Sequence, residues 1–437
     1  MYRSFVVVAV SLIHAVIAAA SETTIEFKFE KHYGSTTEQA LERRQAGALY
    51  SLLSNELVFY QINVTVGTPA QQIGLQIDTG SSDIWLPDAN GTLCKTSRGG
   101  CSLGSYNSHQ SSTFTKLNYP PFQIAYVDGT KISGLYFTDV MAISGVNVRN
   151  VTMAAAGSGG RGFGIMGIGF RAGESSGSPL RATPFTYPNI LDSLKSHGLI
   201  DRLSYSLWLD DLQSNTGSIL FGGVDTAKYH EPLISLPIQR QAENRGYTSM
   251  TVAWTGLSTH NSGPAYTIDY SPSTPQAAIL DSGTTFTYLP NDIARQLFNA
   301  FGVTTDPAAG NLAPCRLGAN NITLTFQFGG AAGPVVNVPL SEFLLVPYDQ
   351  SSSVGTAGVY RSATLRLTAT GTVAFTAQGQ ATSSGRSSRT GTSVMANASA
   401  STSTGTTLRS VARRIDADVA ALILACVAVP GIGTLML

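Results

Sequence analysis

The chain has 437 residues, of which 43% are hydrophobic and 12% charged, and its 27 Lys and Arg balance 27 Asp and Glu. That length and apolar content can fill more than one well-packed domain. The even charge gives no sign of nucleic acid or an acidic polymer as partner, so no nucleic-acid partner is expected and function should sit in a local site.

The chain opens with "MYRSFVVVAVSLIHAVIAAA", in which an early Arg, an apolar run and the small residues Ala18, Ala19 and Ala20 give the pattern of a secretory signal over 1–20. Export places the protein in an oxidising compartment. Residues 21–44 are more charged and end in Arg43-Arg44, a dibasic site that marks them as a pro-segment, with the processed chain starting near Gln45. From about Ser54 to Gln380 the chain consists of short runs rich in Val, Ile, Thr, Phe and Tyr, broken by Gly, Pro, Asn or Ser. This pattern predicts a mainly-β architecture. Two segments, "YPNILDSLKSHGLI" and "PNDIARQLFNAFG", have apolar residues at helical spacing with Gly near the end, and predict helices.

Cys94 and Cys101 flank the short loop "KTSRGG" and are placed to close a local disulfide, whereas Cys315 has no evident partner, since Cys426 lies in the apolar C-terminal tail. Five Asn-x-Ser/Thr sequons, at Asn63, Asn90, Asn150, Asn321 and Asn397, fit an exported glycoprotein. After Ala381 the composition shifts to Ser, Thr and Gly, which cannot bury a core and predict a solvated stalk over 382–406. The last segment, 407–437, is almost wholly apolar from Ala417 to Leu437. Small residues, a polar spacer and a terminal apolar tail form the pattern of a glycosylphosphatidylinositol (GPI) attachment signal, with the attachment residue among Asn397 to Thr407. The membrane or cell wall is then the expected partner, and the cell surface the expected location.

An eleven-residue pattern occurs twice, as "IDTGSSDIWLP" over Ile77 to Pro87 and as "LDSGTTFTYLP" over Leu280 to Pro290. Each copy sets an Asp directly after an apolar strand in a Gly-containing turn, where backbone amides can approach a carboxylate closely. If the halves are related by a pseudo-two-fold axis, Asp78 and Asp281 face each other across it. Two adjacent carboxylates do not both ionise cheaply, so such a pair shares a proton and offers one base and one acid at the same pH. In these turns Ser81 and Thr284 can hydrogen-bond the outer carboxylate oxygens, while Thr79 and Ser282, beside Gly80 and Gly283, can tie the turns together. The histidines show no metal-ligand spacing, so neither a metal nor another cofactor is expected. Gly157 to Gly162 fits G-x-G-x-x-G but is followed by no helix, and reads as a flexible turn; the G-x-S-x-G match at Gly173 to Gly177 also lacks its helix and reads as loop surface.

Together with "VGTPAQQ", "IAYVDGTKISG", "FGIMGIGF", "YSLWL" and "GSILFGGVD", the paired pattern resembles the pepsin-like aspartic endopeptidases, most closely the fungal GPI-anchored branch of yapsins and candidapepsins. The resemblance covers about residues 55–380. It implies a bilobal pepsin-like fold with a first lobe over 45–210, a second over 211–381 and a substrate cleft between them. It also implies acid-favoured hydrolysis of peptide bonds in polypeptide substrates, with Asp78 and Asp281 acting on a bound water in a monomer. By the same resemblance, "IAYVDGTKISG" is the flap that closes over substrate. Tyr126 would stand above the carboxyl pair, Asp128 and Gly129 would touch substrate, and Trp85 would support Tyr126. From the residues alone, the same segment is a hairpin turning at Asp128-Gly129, and Trp85 is a core aromatic. The second lobe departs from the family pattern, because Cys315 lacks its closing cysteine and Val354-Gly355 is a reduced form of the apolar-Gly element behind the second turn. These departures support a second reading, a catalytically inactive cell-surface binding or wall protein that keeps the fold.

Overall fold

A computed structural model describes residues 23–33, 58–345 apart from short loop segments, and strands within 362–382 and 423–436. Among these residues strands dominate, arranged in sheets of 14, 9 and 4 strands. Both halves repeat one local arrangement, which the duplicated pattern dictates. In the first, the strand Gln71–Asp78 runs parallel to Gly164–Gly167, with Asp78 opposite Gly167. The chain turns through Gly80 and returns as Ile84–Pro87, which pairs antiparallel with Gly164–Gly167 and parallel with Val146–Gly159. In the second half, Gln276–Asp281 runs parallel to Val373–Thr376, with Asp281 opposite Thr376. Its continuation Thr287–Leu289 pairs antiparallel with Val373–Thr376 and parallel with Leu367–Ala369. Each Asp therefore ends a strand that has neighbours on both sides. The residues Ile73–Asp78 are buried without alternation, as expected where both faces of a strand are covered.

The element behind the second turn is thus Val373–Thr376. Val354 and Gly355, expected there from sequence, lie outside the described residues, as do Cys315 and Asn397.

Both predicted helices form. Ile190–Ser196 starts at Asn189, whose side chain accepts from Asp192 N–H while the Asp192 carboxylate accepts from Asn189 N–H. Asn291–Phe301 buries Ile293, Ala294, Leu297 and Phe301 on one face. The Cys94–Cys101 disulfide is formed. Asn63, Asn90, Asn150 and Asn321 are exposed.

Two further segments join the largest sheet. The strand Ile25–Tyr33, within the expected pro-segment, is held between Thr216–Phe221 and Val58–Val66. Its alternation is clean: Phe27 and Phe29 are buried while Glu26, Lys28 and Glu30 are exposed. Phe27 packs edge-on against Phe221, and Phe29 against Tyr60. At the other end, Ile423–Val429 and Ile432–Met436, within the expected attachment signal, form a hairpin paired to Ser204–Trp208 and Ser235–Pro237. Among the described residues no helix is long and apolar enough to cross a membrane.

Candidate active site

The two turns meet face to face. The Thr79 hydroxyl donates to the Leu280 carbonyl (3.0 Å) and accepts from Ser282 N–H (2.8 Å). In the mirror-related pair, the Ser282 hydroxyl donates to the Ile77 carbonyl and accepts from Thr79 N–H, both at 3.1 Å. These four bonds are buried, so none is traded cheaply for water. They fix one turn against the other and set each Asp carboxyl close against the glycine of the opposite turn. Thr79→Val removes one hydroxyl and strands Ser282 N–H in the interior. It is expected to cost about 1–3 kcal/mol of stability by urea unfolding, with a parallel loss of activity.

Each carboxylate also accepts from the glycine amide of its own turn, Asp78 from Gly80 (2.8 Å) and Asp281 from Gly283 (2.7 Å). Close approach explains the glycines. A Cβ at Gly80 would lie 2.5 Å from the Asp281 carboxyl carbon, and one at Gly283 would lie 2.3 Å from Asp78 Oδ1. The Ser81 hydroxyl donates to Asp78 Oδ2. Thr284, at the matching position of the second turn, has its hydroxyl beside Tyr288. Burial raises the Asp281 carboxyl well above the usual range; the neighbouring Asp78 raises it further, and the Gly283 amide and Arg161 partly offset this.

Over the first turn lies a hairpin of Phe122–Ala125 and Lys131–Ile143. Its tip closes with Gly129 N–H donating to the Tyr126 carbonyl, and Gly129 has φ +85°, a left-handed conformation suited to glycine. Trp85 is fully buried and its indole N–H donates to Tyr126 Oη at 2.7 Å. Burial and the nearby Asp78 push the Tyr126 phenol up, so it stays a neutral hydroxyl.

Two parts of this site were not read from sequence. One is Gln76 and Arg161: Gln76 Nε2 donates to the Gly283 carbonyl (2.7 Å), and Arg161 reaches both Gln76 Oε1 (3.1 Å) and Asp128 Oδ2 (3.0 Å). The available signal was one polar residue inside the apolar run "IGLQID", and one cation in a glycine-rich turn. The other is a buried acidic cluster behind the first turn. Asp83 accepts from Tyr187 Oη (2.7 Å) and Ser175 N–H (2.8 Å), and Glu174 accepts from Tyr187 N–H (2.9 Å). The G-x-S-x-G segment is therefore not loop surface: Glu174 and Ser176 are buried, because the loop wraps over Asp83. Among the described residues no cluster of His, Cys, Asp or Glu could hold a metal ion.

Mutually bonded Asp-Thr-Gly and Asp-Ser-Gly turns under a tyrosine-bearing flap agree with a match of residues 59–378 to the family described as "Eukaryotic aspartyl protease". The chain belongs to this aspartyl protease family. It is 39% identical over 307 residues to a probable aspartic-type endopeptidase, opsB, of Aspergillus fumigatus, covering 70% of this chain and 61% of that protein. It is 35% identical over 318 residues to secreted aspartic protease 5 of Candida albicans, covering 69% and 68%. To aspartic proteinase yapsin-3 of Saccharomyces cerevisiae it is 32% identical over 326 residues, covering 72% and 62%. The match thus spans about three fifths of the length of opsB and yapsin-3. Among solved structures, the aspartic proteinase from Irpex lacteus superposes with a TM-score of 0.54 at 20% identity, covering 80% of this chain and 88% of that one, which supports the aspartyl protease fold.

Proposed function

We propose that the protein is an acid-favoured aspartic endopeptidase that hydrolyses peptide bonds with a water held between Asp78 and Asp281. The observation that carries this reading is the mutual bonding of the two Asp-bearing turns, which sets each carboxyl against the glycine of the opposite turn, with Asp281 raised by burial and by its neighbour Asp78. Asp78 accepts from Gly80 N–H and Ser81 Oγ, the bonding pattern of an ionised carboxylate. Asp281 then carries the shared proton.

In the first step the Asp78 carboxylate takes a proton from the water, whose oxygen attacks the peptide carbonyl carbon, while Asp281 gives its proton to the carbonyl oxygen. The tetrahedral diol collapses as Asp281 takes back a hydroxyl proton and Asp78 delivers its own to the departing amine. The cycle returns both carboxyls to their starting state without a covalent intermediate. The hairpin tip at Tyr126 to Gly129 would cover an extended polypeptide bound through strand-like backbone bonds.

Export and attachment to the cell surface through a GPI anchor belong to the same proposal, supported by the two terminal sequence patterns and by the secreted relative. The inactive alternative finds no support in the site, since the second turn keeps its Asp, its amide bond and its cross-links. The test is cleavage of a mixed peptide library by the purified, processed protein from acidic to neutral pH. Cleavage should be greatest in acid and fade as the shared proton leaves; maximal turnover at alkaline pH would contradict the mechanism.

A further inference from the structure

Arg161 is 6% exposed, in the turn between the strands Val146–Gly159 and Gly164–Gly167. A buried guanidinium needs compensation, and this one finds it in two places. Nη2 pairs with Asp128 of the flap at 3.0 Å, and Nη1 donates to Gln76 Oε1 at 3.1 Å. Its Cζ also lies 5.2 Å from the centroid of the Tyr126 ring and 5.3 Å from that of Phe163, within range of cation–π attraction. Gln76 lies two residues before Asp78 on the same strand and donates its amide to the Gly283 carbonyl of the second turn.

We propose that Arg161 is a positioning residue that couples flap closure to the geometry of the carboxyl pair. The path is continuous: flap Asp128, Arg161, Gln76, and then Gly283 beside Asp281. Lifting the flap separates the Arg161 cation from Asp128 and from the Tyr126 ring, so the closed arrangement is favoured and opening is slowed. Because the same cation also touches the strand that ends in Asp78, closing the flap presses on both turns at once. The groups acting on Asp281 are Asp78 from the first turn, the Gly283 amide, Tyr288 on the following strand and Arg161, the cation of this set, while Tyr126 and Asp128 of the flap face Asp78 and Arg161 respectively. Removing that cation makes the protonated form of the pair easier to keep, which moves the activity profile to higher pH.

This inference rests on the protease reading, and the experiment separates the two. Arg161→Met and Arg161→Lys are compared with the parent for KM, kcat, pH profile and amide hydrogen exchange at Tyr126 to Thr130. Arg161→Met is expected to raise KM roughly tenfold, shift the profile upward by roughly half a pH unit and speed exchange at the flap tip. Arg161→Lys keeps the charge but does not span both partners, so its profile should stay in place while KM rises. Gln76→Leu, which cuts the path beyond the cation, should lower kcat with flap exchange unchanged. If folded Arg161→Met has parental KM, profile and flap exchange, the inference is overturned. It is equally overturned if Met and Lys variants lose kcat alike with KM, profile and exchange untouched, which marks a merely structural role. If the parent cleaves nothing, the protease reading fails, while flap exchange in Arg161→Met still decides the tether.

Discussion

Asp281→Asn and Asp78→Asn are each expected to lower kcat by roughly 10⁴ or more, and the double variant is expected to be no worse than either single one. The reasoning starts from what the carboxyls share. In the proposed mechanism one proton serves both, so removing either group removes the acid and the base together, and the second substitution finds nothing left to destroy. Asparagine keeps the shape of aspartate, and its carbonyl oxygen can still accept from the Gly283 or Gly80 amide. The bonds between Thr79 and Ser282 do not involve the carboxyls at all, so the fold should persist. Thermal unfolding of the variants within a few degrees of the parent, beside lost cleavage, is the expected pair of results. A double variant far below both singles would mean that the two residues act separately, and the shared-proton mechanism would be wrong.

How much of this was legible in the sequence depended on whether the signal was local. The pattern around Asp78 and Asp281 could be read because strand, turn and carboxylate are adjacent in sequence, and a second copy states the symmetry. The hairpin turn at Asp128-Gly129 and both helices are equally local. Gln76 and Arg161 are not: 85 residues separate them, and only the fold brings them together. The same holds for Asp83 and Glu174, whose carboxyls look like ordinary surface charges until the loop at Ser175 closes over them. The C-terminal run "ILACVAV" shows a different limit, since a continuous apolar stretch suits an attachment signal and a sheet strand alike. The strand Ile25–Tyr33 is legible in its alternation of Ile, Phe and Phe with Glu, Lys and Glu, although its charge content equally suits a polar pro-segment.

Stability should fall steeply as pH rises from about 5 to 8, and Glu174→Gln should remove much of that slope. Glu174 is 1% exposed, and burial, with Asp83 nearby, pushes its carboxyl from an ordinary 4.5 up to about 9, against the moderating bond from Tyr187 N–H. Asp83 is raised too, mainly by burial, although Ser175 N–H, Tyr187 Oη and Arg181 hold it down in part. Below the ordinary carboxyl range both groups are protonated whether the chain is folded or not, and their contribution to stability is intact. Above it the unfolded chain releases the Glu174 proton while the folded chain keeps it, so unfolding gains about 1.4 kcal/mol per pH unit from this one group until the folded value is reached. Against a total stability of roughly 5–15 kcal/mol, that is enough to threaten the first lobe near neutrality. The neutral amide of Glu174→Gln takes no part in this titration, so its melting temperature should vary much less between pH 5 and 8 than the parent's. A parent whose melting temperature is flat across that window, or a Gln variant with the parental slope, would show that the cluster is not held neutral. If the slope is as expected, the acid-favoured activity proposed above would have two physical origins: the shared proton would set where catalysis works, and the cluster behind Asp78 where the first lobe survives.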